Sequence, residues 1–226
     1  MPAASYAIAT RIAAEAAGSG LLTFLVVAAG LLAERQAGGS IALAALITAL
    51  AGAAGFFVLA RALSPWTVTG FNPALAFVSI LSGRVDIVTG VLSAAAQFGA
   101  AFLGVMIAHL VTNTGLVQVA TQIQTGPGVW TGEFLGTGLF IFVMLSLTAR
   151  EREPLIPITG ALALLAIALA TPSLCFANPA PTLARALTDS FTAIRLADAA
   201  TIAGIQCLAA LGAWLIHWWL WPQRDA

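Results

Sequence analysis

The sequence predicts an all-α membrane protein with six transmembrane helices and two re-entrant half-helices, arranged as an inverted 3+3 repeat. Three observations predict this class. Hydrophobic residues make up 60% of the 226 residues and charged residues only 8%, which is typical of membrane proteins rather than soluble domains. Six apolar stretches approach the ~20 residues that a helix needs to cross a bilayer. The tripeptide Asn-Pro-Ala occurs twice, each time in a shorter apolar segment.

The six spanning helices are predicted from the longest apolar runs. These runs are 8–32, 41–60, 87–110, 130–148, 156–172 and 197–221. The N-terminus lacks the basic region and short apolar region of a cleavable signal, so we expect the first span to be retained. The net charge of zero gives no indication of a nucleic-acid partner, and the two cysteines indicate no disulfide framework.

Two further apolar segments, 66–82 and 172–192, are too short to span and too apolar for surface loops. Irregular backbone at membrane depth is tolerated only where protein buries it or where it lines a wet cavity. Two short segments interrupted by proline, in corresponding halves of a chain, indicate a site at the membrane midplane. We therefore expect both segments to be re-entrant.

Each re-entrant segment contains an Asn-Pro-Ala box. The boxes consist of Asn72, Pro73 and Ala74, and of Asn178, Pro179 and Ala180. Asparagine is a strong N-cap and proline fits the first helical position, so each box predicts the start of a helix, the second reaching about Asp189. Once its oxygen caps the helix, the amide N–H₂ of each asparagine is free to donate into a pore. Pro181 lacks an N–H, so Asn178 can cap only Ala180.

Spacing within the chain predicts a repeat. The box asparagines are 106 positions apart (72 to 178), and Gln97 and Gln206 are 109 apart. The glutamates Glu15 and Glu133 are 118 apart. We therefore predict a single transmembrane domain over 1–226 with pseudo-repeats of about 1–115 and 125–226. Three spans in each half require the second half to be inverted, so the two boxes enter from opposite faces and meet at their tips.

Glu15 and Glu133 lie within predicted spans, where an ionisable residue is a functional candidate by default. One interpretation is a proton relay. The interpretation we favour is that each carboxylate braces the re-entrant loop of its own half by accepting unpaired backbone N–H groups or through a bridging water. His109 and His217 fall near helix ends without a partner at metal-ligand spacing and are interpreted as interfacial. No metal site and no cofactor are predicted.

Arginine positions predict the orientation, because short cytoplasmic loops are enriched in basic residues. With both termini inside, six arginines are cytoplasmic and three are outside. The six are Arg11, Arg61, Arg84, Arg150, Arg152 and Arg224, and the three are Arg35, Arg185 and Arg195. The expected location is an integral position in a bacterial inner (plasma) membrane, with cytoplasmic N- and C-termini.

Paired Asn-Pro-Ala boxes in an apolar chain resemble the aquaporin superfamily, the major intrinsic proteins. Residues 14–19 (Ala-Glu-Ala-Ala-Gly-Ser) and 132–137 (Gly-Glu-Phe-Leu-Gly-Thr) resemble the openings of the first and fourth helices of that family. Residues 96–100 (Ala-Gln-Phe-Gly-Ala) resemble its third helix. The resemblance implies a six-helix channel, assembled as a homotetramer in the lipid bilayer, that passes water or small neutral solutes. The chain is similar to bacterial aquaglyceroporin-like members of the family that have Phe-Ala-Asn-Pro-Ala in the second box.

The resemblance also implies a selectivity filter. Its positions, carried over by their distance from the boxes, are Gly52, Ala166, Cys175 and Pro181, and Pro181 stands where typical members have arginine. This set lacks the usual arginine, so we expect a wide filter with few hydrogen-bond donors. Cys175 is expected to face the outer mouth, and its alternative is a small buried hydrophobe.

These considerations favour a passive channel for small neutral solutes (glycerol-like polyols, urea-like amides or metalloid acids such as arsenous acid), together with water. The alternatives are a water-selective channel and a proton-coupled secondary transporter, which would use Glu15 or Glu133. A purely structural membrane protein stays open. An enzyme is not predicted, since the sequence has no Ser/His pair, metal-ligand cluster or phosphate-binding loop.

Overall fold

The computed structural model describes residues 7–149 and 152–221, and the regular secondary structure of these residues is helical throughout. The helices are α1 (Ile8–Gln36), α2 (Ile41–Leu63), α3 (Pro73–Leu81), α4 (Ile87–Val111), α5 (Pro127–Ala149), α6 (Ile156–Ala170), α7 (Pro179–Ala184) and α8 (Leu196–Leu220). Short 3₁₀ turns, Glu153–Leu155 and Arg185–Leu187, precede α6 and follow α7.

The six predicted spans are confirmed as α1, α2, α4, α5, α6 together with the 3₁₀ turn before it (Glu153–Ala170), and α8, each long and apolar enough to cross a membrane. The predicted end of α7 is wrong, because the helix stops at Ala184 instead of near Asp189. The carbonyls of Ala186 and Leu187 accept hydrogen bonds from the loop that precedes α5, at 3.2 and 3.0 Å. The backbone N–H of Asp189 donates instead to Oε1 of Gln118 (2.9 Å), and the carbonyl of Arg185 accepts the N–H of Ile194 (3.4 Å), so the bond from Asp189 to Arg185 that would extend the helix is not formed.

The two halves of the chain pack in the same pairs. In the first half α1 contacts α2 and α4, and α3 lies against α4. In the second half α5 contacts α6 and α8, and α7 lies against α8. Three spans (α1, α2 and α4) precede α5, so the halves are inverted with respect to each other, and α3 and α7 start at the middle of the bundle and point to opposite faces.

Small residues allow the closest helix pair, α1 and α4, to approach. A Cβ on Gly104 would collide with the carbonyl oxygen of Gly20, and a Cβ on Gly20 would lie 3.0 Å from that of Ala100. Close approach through glycine is common in membrane helices. Gly99, also on α4, has open space around it and takes no part in this approach.

We call the side of the bundle where α1 begins the first face, and the side where α1 ends the second face. Helix order places Arg61, Arg84 and Arg152 at the first face and Arg35 and Arg195 at the second. Arg150 and Arg224, both counted in the orientation argument, lie outside the described residues.

Arg185 is also an exception to that argument. It is only 2% exposed, so it is a buried group rather than a loop charge, and it does not count toward the orientation of the chain.

Candidate functional site

Both boxes start a helix, as their residues dictate. Asn72 Oδ1 accepts a hydrogen bond from the backbone N–H of Ala74 (2.9 Å), and Asn178 Oδ1 accepts one from that of Ala180 (3.1 Å). Pro73 and Pro179 occupy the first helical positions, where a missing N–H costs nothing. The positive ends of two helix dipoles therefore meet at the middle of the bundle.

The two boxes are also joined to each other by reciprocal hydrogen bonds. Asn72 Nδ2 donates to the carbonyl of Ala177 at 2.8 Å, and Asn178 Nδ2 donates to the carbonyl of Phe71 at 2.9 Å. The expectation that each amide group is wholly free was therefore wrong. One N–H of each amide links the two re-entrant segments, which leaves one N–H of each as a donor.

The acceptor carbonyls belong to residues with unusual backbone geometry. Phe71 and Ala177, each directly before a box asparagine, have φ of 60° and 52°. This left-handed conformation is uncommon outside glycine and persists only where surrounding contacts enforce it. Both residues are fully buried. Gly18 of α1 makes room for the Phe71 ring, which a Cβ at that position would strike.

Glu15 holds the first re-entrant loop in place. Its Oε1 accepts the backbone N–H groups of Val68 (2.8 Å) and Thr69 (2.7 Å). Its Oε2 accepts the N–H of Phe71 (2.8 Å) and the Nε2 group of Gln97 (2.8 Å). The carboxylate is fully buried, and these bonds satisfy backbone donors that otherwise have no partner in the membrane.

Glu133 contacts the second loop in a different way. Its Oε1 accepts the hydroxyl of Ser173 at 2.6 Å, and its Oε2 accepts Nε2 of Gln206 at 2.9 Å. Glutamate and glutamine pair as in the first half. The sequence had led us to expect a contact with backbone N–H groups of the loop. Glu133 instead contacts the loop through a side chain, the hydroxyl of Ser173.

A cavity of about 450 Å³ extends from the first face towards the boxes. Ser64, Thr67 and Arg84 line its outer part, and Gly70 and Phe71 line its inner part. Partial burial lowers the pKa of the Arg84 guanidinium, and the nearby Glu153 carboxylate opposes this shift. The cavity thus combines apolar walls with a few polar groups, which suits a small uncharged molecule.

On the second-face side of the boxes, a phenylalanine ring occupies the space beside α2. A Cβ added to Gly52 would lie 2.5 Å from Cε1 of Phe176. The ring is 7% exposed and packs with Val26, Ala49 and Leu174.

The guanidinium of Arg185 lies over the same ring, with Cζ 5.7 Å from the ring centroid. Its Nε donates to the carbonyl of Thr192, and its Nη2 donates to that of Ser173 at 3.4 Å. An aromatic ring and a cation are therefore held together next to the second box.

Comparison with known proteins decides the family. The family models that were scanned give no match. The chain is 33% identical over 212 residues to aquaglyceroporin AqpS of Rhizobium meliloti (strain 1021), covering 92% of this chain and 90% of that protein. The chain belongs to the aquaporin superfamily.

The fold agrees with this membership. The X-ray structure of the aquaglyceroporin from Plasmodium falciparum superposes with a TM-score of 0.59 and covers 96% of this chain and 97% of that one. The sequence identity of 15% limits this likeness to the fold.

The four predicted filter positions of this aquaporin are not brought together as a wide opening. Gly52 and Pro181 are buried, and the ring of Phe176 fills the volume beside Gly52. Ala166 lies on the same exposed face of α6 as Leu162, so the residues of α6 nearest Phe176 are Ala168 and Leu165. One or two residues of slip in the carried-over spacing explain the difference.

Cys175 takes the alternative that the sequence left open. It is fully buried, with Sγ 3.7 Å from the hydroxyl of Thr137, and a Cβ on Gly136 would lie 3.2 Å from that sulfur. The side chain therefore packs against α5 and does not face an open mouth. The second cysteine, Cys207, is exposed on α8.

The two histidines, interpreted as interfacial, lie in the last turns of α4 and α8 and are buried within the protein. His109 is fully buried and His217 is 8% exposed. His109 Nδ1 lies 2.9 Å from the carbonyl of Leu116, and Nε2 lies 2.9 Å from Thr188 Oγ1. A carbonyl can only accept, so Nδ1 carries the proton, and the ring joins α4 to the loops of the second face.

Sequence reasoning missed Phe176 and Arg185, as well as the role of the Phe71 and Ala177 carbonyls. A signal for Phe176 was present. Residues 51–55 of α2 read Ala-Gly-Ala-Ala-Gly, and such a run of small residues leaves a volume that a neighbouring bulky side chain can fill. The carbonyl contacts had no signal, because they depend on how the two loops meet.

Proposed function

We propose that this protein is a passive membrane channel for small neutral solutes, with glycerol-like polyols, urea-like amides and metalloid acids such as arsenous acid as the candidate classes, and that it also passes water. The observation that carries the proposal is the reciprocal bonding of the two boxes, Asn72 to Ala177 and Asn178 to Phe71. This bonding fixes two amide groups side by side where two helix N-termini meet. The name of the AqpS relative, an aquaglyceroporin, supports the same solute class.

The proposed mechanism uses the donors that remain. A solute enters from the cavity at the first face and reaches Asn72 and Asn178, which each offer one N–H to a hydroxyl, amide or water oxygen. The surrounding apolar walls accept the carbon face of the solute. The positive helix ends raise the energy of a cation or proton at the same place, so neutral molecules are favoured.

A water-selective channel and a proton-coupled transporter are the alternatives. The sequence-based assignment of the filter does not favour water selectivity, because the usual filter arginine is absent. The bonding of Glu15 disfavours proton coupling, since four hydrogen bonds to its two oxygens hold a carboxylate in place and leave no vacant site for a proton. The name of the AqpS relative, an aquaglyceroporin, supports a channel rather than an enzyme.

The assignment of residues to roles belongs to this proposal. We assign the pore contacts to the two boxes and the loop bracing to Glu15 and Glu133. Of the filter positions, we retain Gly52 and Pro181 as wall residues, assign Cys175 to packing and leave Ala166 on the exposed face of α6. We also propose a single domain with repeats of about 1–115 and 125–226, a homotetramer, a bacterial inner membrane and cytoplasmic termini. These proposals are supported by the spacing of the repeated residues, the family resemblance and the arginine positions.

The experiment is light scattering of proteoliposomes under an inward glycerol gradient. Water efflux shrinks the vesicles and solute entry restores them, so one trace reports both permeabilities. We expect fast shrinkage followed by fast recovery, relative to protein-free vesicles. Fast shrinkage without recovery would instead support the water-selective alternative. Urea and arsenous acid gradients then separate the candidate classes.

A further inference from the structure

We propose that Phe176 and Arg185 set the size and charge selectivity of the second-face half of the pathway, a role that the sequence had assigned to other positions. This proposal rests on the proposed channel function. It concerns two residues that are neither box residues nor among the four predicted filter positions.

The first step is the volume that the ring occupies. Gly52 has no side chain, and the space that a side chain would take contains the edge of the Phe176 ring, 2.5 Å from an ideal Cβ. Phe176 lies directly before Ala177, whose carbonyl binds Asn72. The ring therefore extends from the re-entrant loop to α2 immediately beside the contact between the boxes, and it narrows the space that Gly52 leaves open.

The second step is the charge. Arg185 is 2% exposed, and within residues 7–149 and 152–221 no carboxylate pairs with it as a salt bridge. Two carbonyls, those of Thr192 and Ser173, and the face of the Phe176 ring hold it instead. A guanidinium has five N–H donors, and these contacts use two of its nitrogens. A positive charge with spare donors is thus held next to the ring.

The third step is what this pair does to a solute. The ring limits the width of a passing molecule and offers it an apolar face. The guanidinium offers hydrogen bonds to a hydroxyl or carbonyl oxygen and repels cations, including hydronium. Arg185 thereby supplies, seven positions after Asn178, the charge that the proline at position 181 does not provide.

The test of the ring uses Phe176→Ala. In proteoliposomes we expect the permeability to a five-carbon polyol, relative to glycerol, to rise about tenfold, because pore diameter controls entry. Gly52→Phe combined with Phe176→Ala returns an aromatic ring to the same space from α2 and is expected to restore the wild-type ratio. Phe57→Ala, the same change at an exposed position of α2, is the matched control and should leave the ratio unchanged.

The test of the charge uses Arg185→Leu and Arg185→Lys. Proton flux is measured with a pH-sensitive dye inside the vesicles under a potassium diffusion potential. It is expected to rise at least about tenfold in R185L and to stay at the wild-type level in R185K, since the positive charge sets the barrier. Arg61→Leu, at the exposed end of α2, is the control for removing a positive charge elsewhere.

The outcomes are separable from those of the proposed function. If wild-type protein passes no solute above protein-free vesicles, the channel function itself is wrong. If wild-type protein passes glycerol but F176A leaves the polyol ratio unchanged, the assignment of Phe176 is overturned, and an unchanged proton flux in R185L overturns that of Arg185. Should F176A not yield folded protein, Phe176→Leu replaces it, with a smaller rise expected and an unchanged ratio again counting against the proposal.

Discussion

Replacing Glu15 by glutamine should strongly destabilise the protein, although the side chain keeps its size. Glu15 Oε1 accepts two backbone N–H groups and Oε2 accepts one more together with Gln97 Nε2. In E15Q one of these oxygens becomes an NH₂ group that faces two donors. Hydrogen bonds to a charged group contribute about 1.5–3 kcal/mol each, so the loss of two costs about 3–6 kcal/mol.

The measurement is thermal unfolding of the purified protein in detergent. At about 2–4 °C per kcal/mol for a chain of this length, the Tm of E15Q should fall by roughly 6–24 °C. Glu34→Gln is the matched control, because Glu34 lies on the same helix, is exposed and accepts one backbone N–H, that of Phe191. Glu133→Gln should be intermediate, since the hydroxyl of Ser173 can turn to another acceptor.

A Tm of E15Q within the range of E34Q would refute the bracing argument. Transport assays add a second reading. A folded, stable E15Q protein that has lost a pH-dependent transport rate would instead support the proton-coupled transporter that the sequence left as an alternative.

Three further predictions follow from buried contacts and one surface carboxylate. Gly18→Ala should lower the free energy of unfolding by about 1–3 kcal/mol, because the new methyl group strikes the buried ring of Phe71. Gly99→Ala, the control at an open position, should not lower it. Equal Tm values for the two variants would contradict this prediction. A mercurial should modify the exposed Cys207 before the buried Cys175, as read by mass spectrometry, and modification of Cys175 first would show that it faces water. Asp189 accepts hydrogen bonds from the backbone N–H and hydroxyl of Thr121, which lower the pKa of its carboxyl. Because this pKa is lower in the folded state, the ionised carboxylate stabilises the folded state at pH values above its unfolded pKa, and this stabilisation is lost as pH falls through the folded pKa. Protection of the Thr121 amide from hydrogen exchange should therefore persist from about pH 7 to about pH 4 and decrease only in stronger acid. Loss of protection near neutral pH would contradict this prediction.

The fold and the two boxes could be predicted from sequence because their signals are local. An apolar run of sufficient length predicts a span, and Asn before Pro predicts a cap whichever residues surround it. The bracing by Glu15 was also within reach, since a carboxylate inside a span needs donors and an irregular loop supplies them.

The region beside the second box could not be predicted in the same way. Distance from a box identifies Gly52 and Pro181 but does not say which side chain fills the space they leave. Phe176 and Arg185 meet only because the second loop turns back towards α2, and the turn depends on the left-handed Leu174 and Ala177, with φ of 51° and 52°. Neither residue is of a type that indicates such a conformation.

The cross-bonding of the boxes has a consequence for the order of events during synthesis. The amide of Asn72 finds its acceptor 105 positions later in the chain, and the carbonyl of Phe71 finds its donor 107 positions later. While the ribosome is still making the second half, the first loop therefore holds two unsatisfied polar groups inside the bilayer. The first half can insert early, but its loop reaches its final hydrogen bonding only when the second loop packs against it. The two bonds between the boxes therefore form only after translation has passed Asn178.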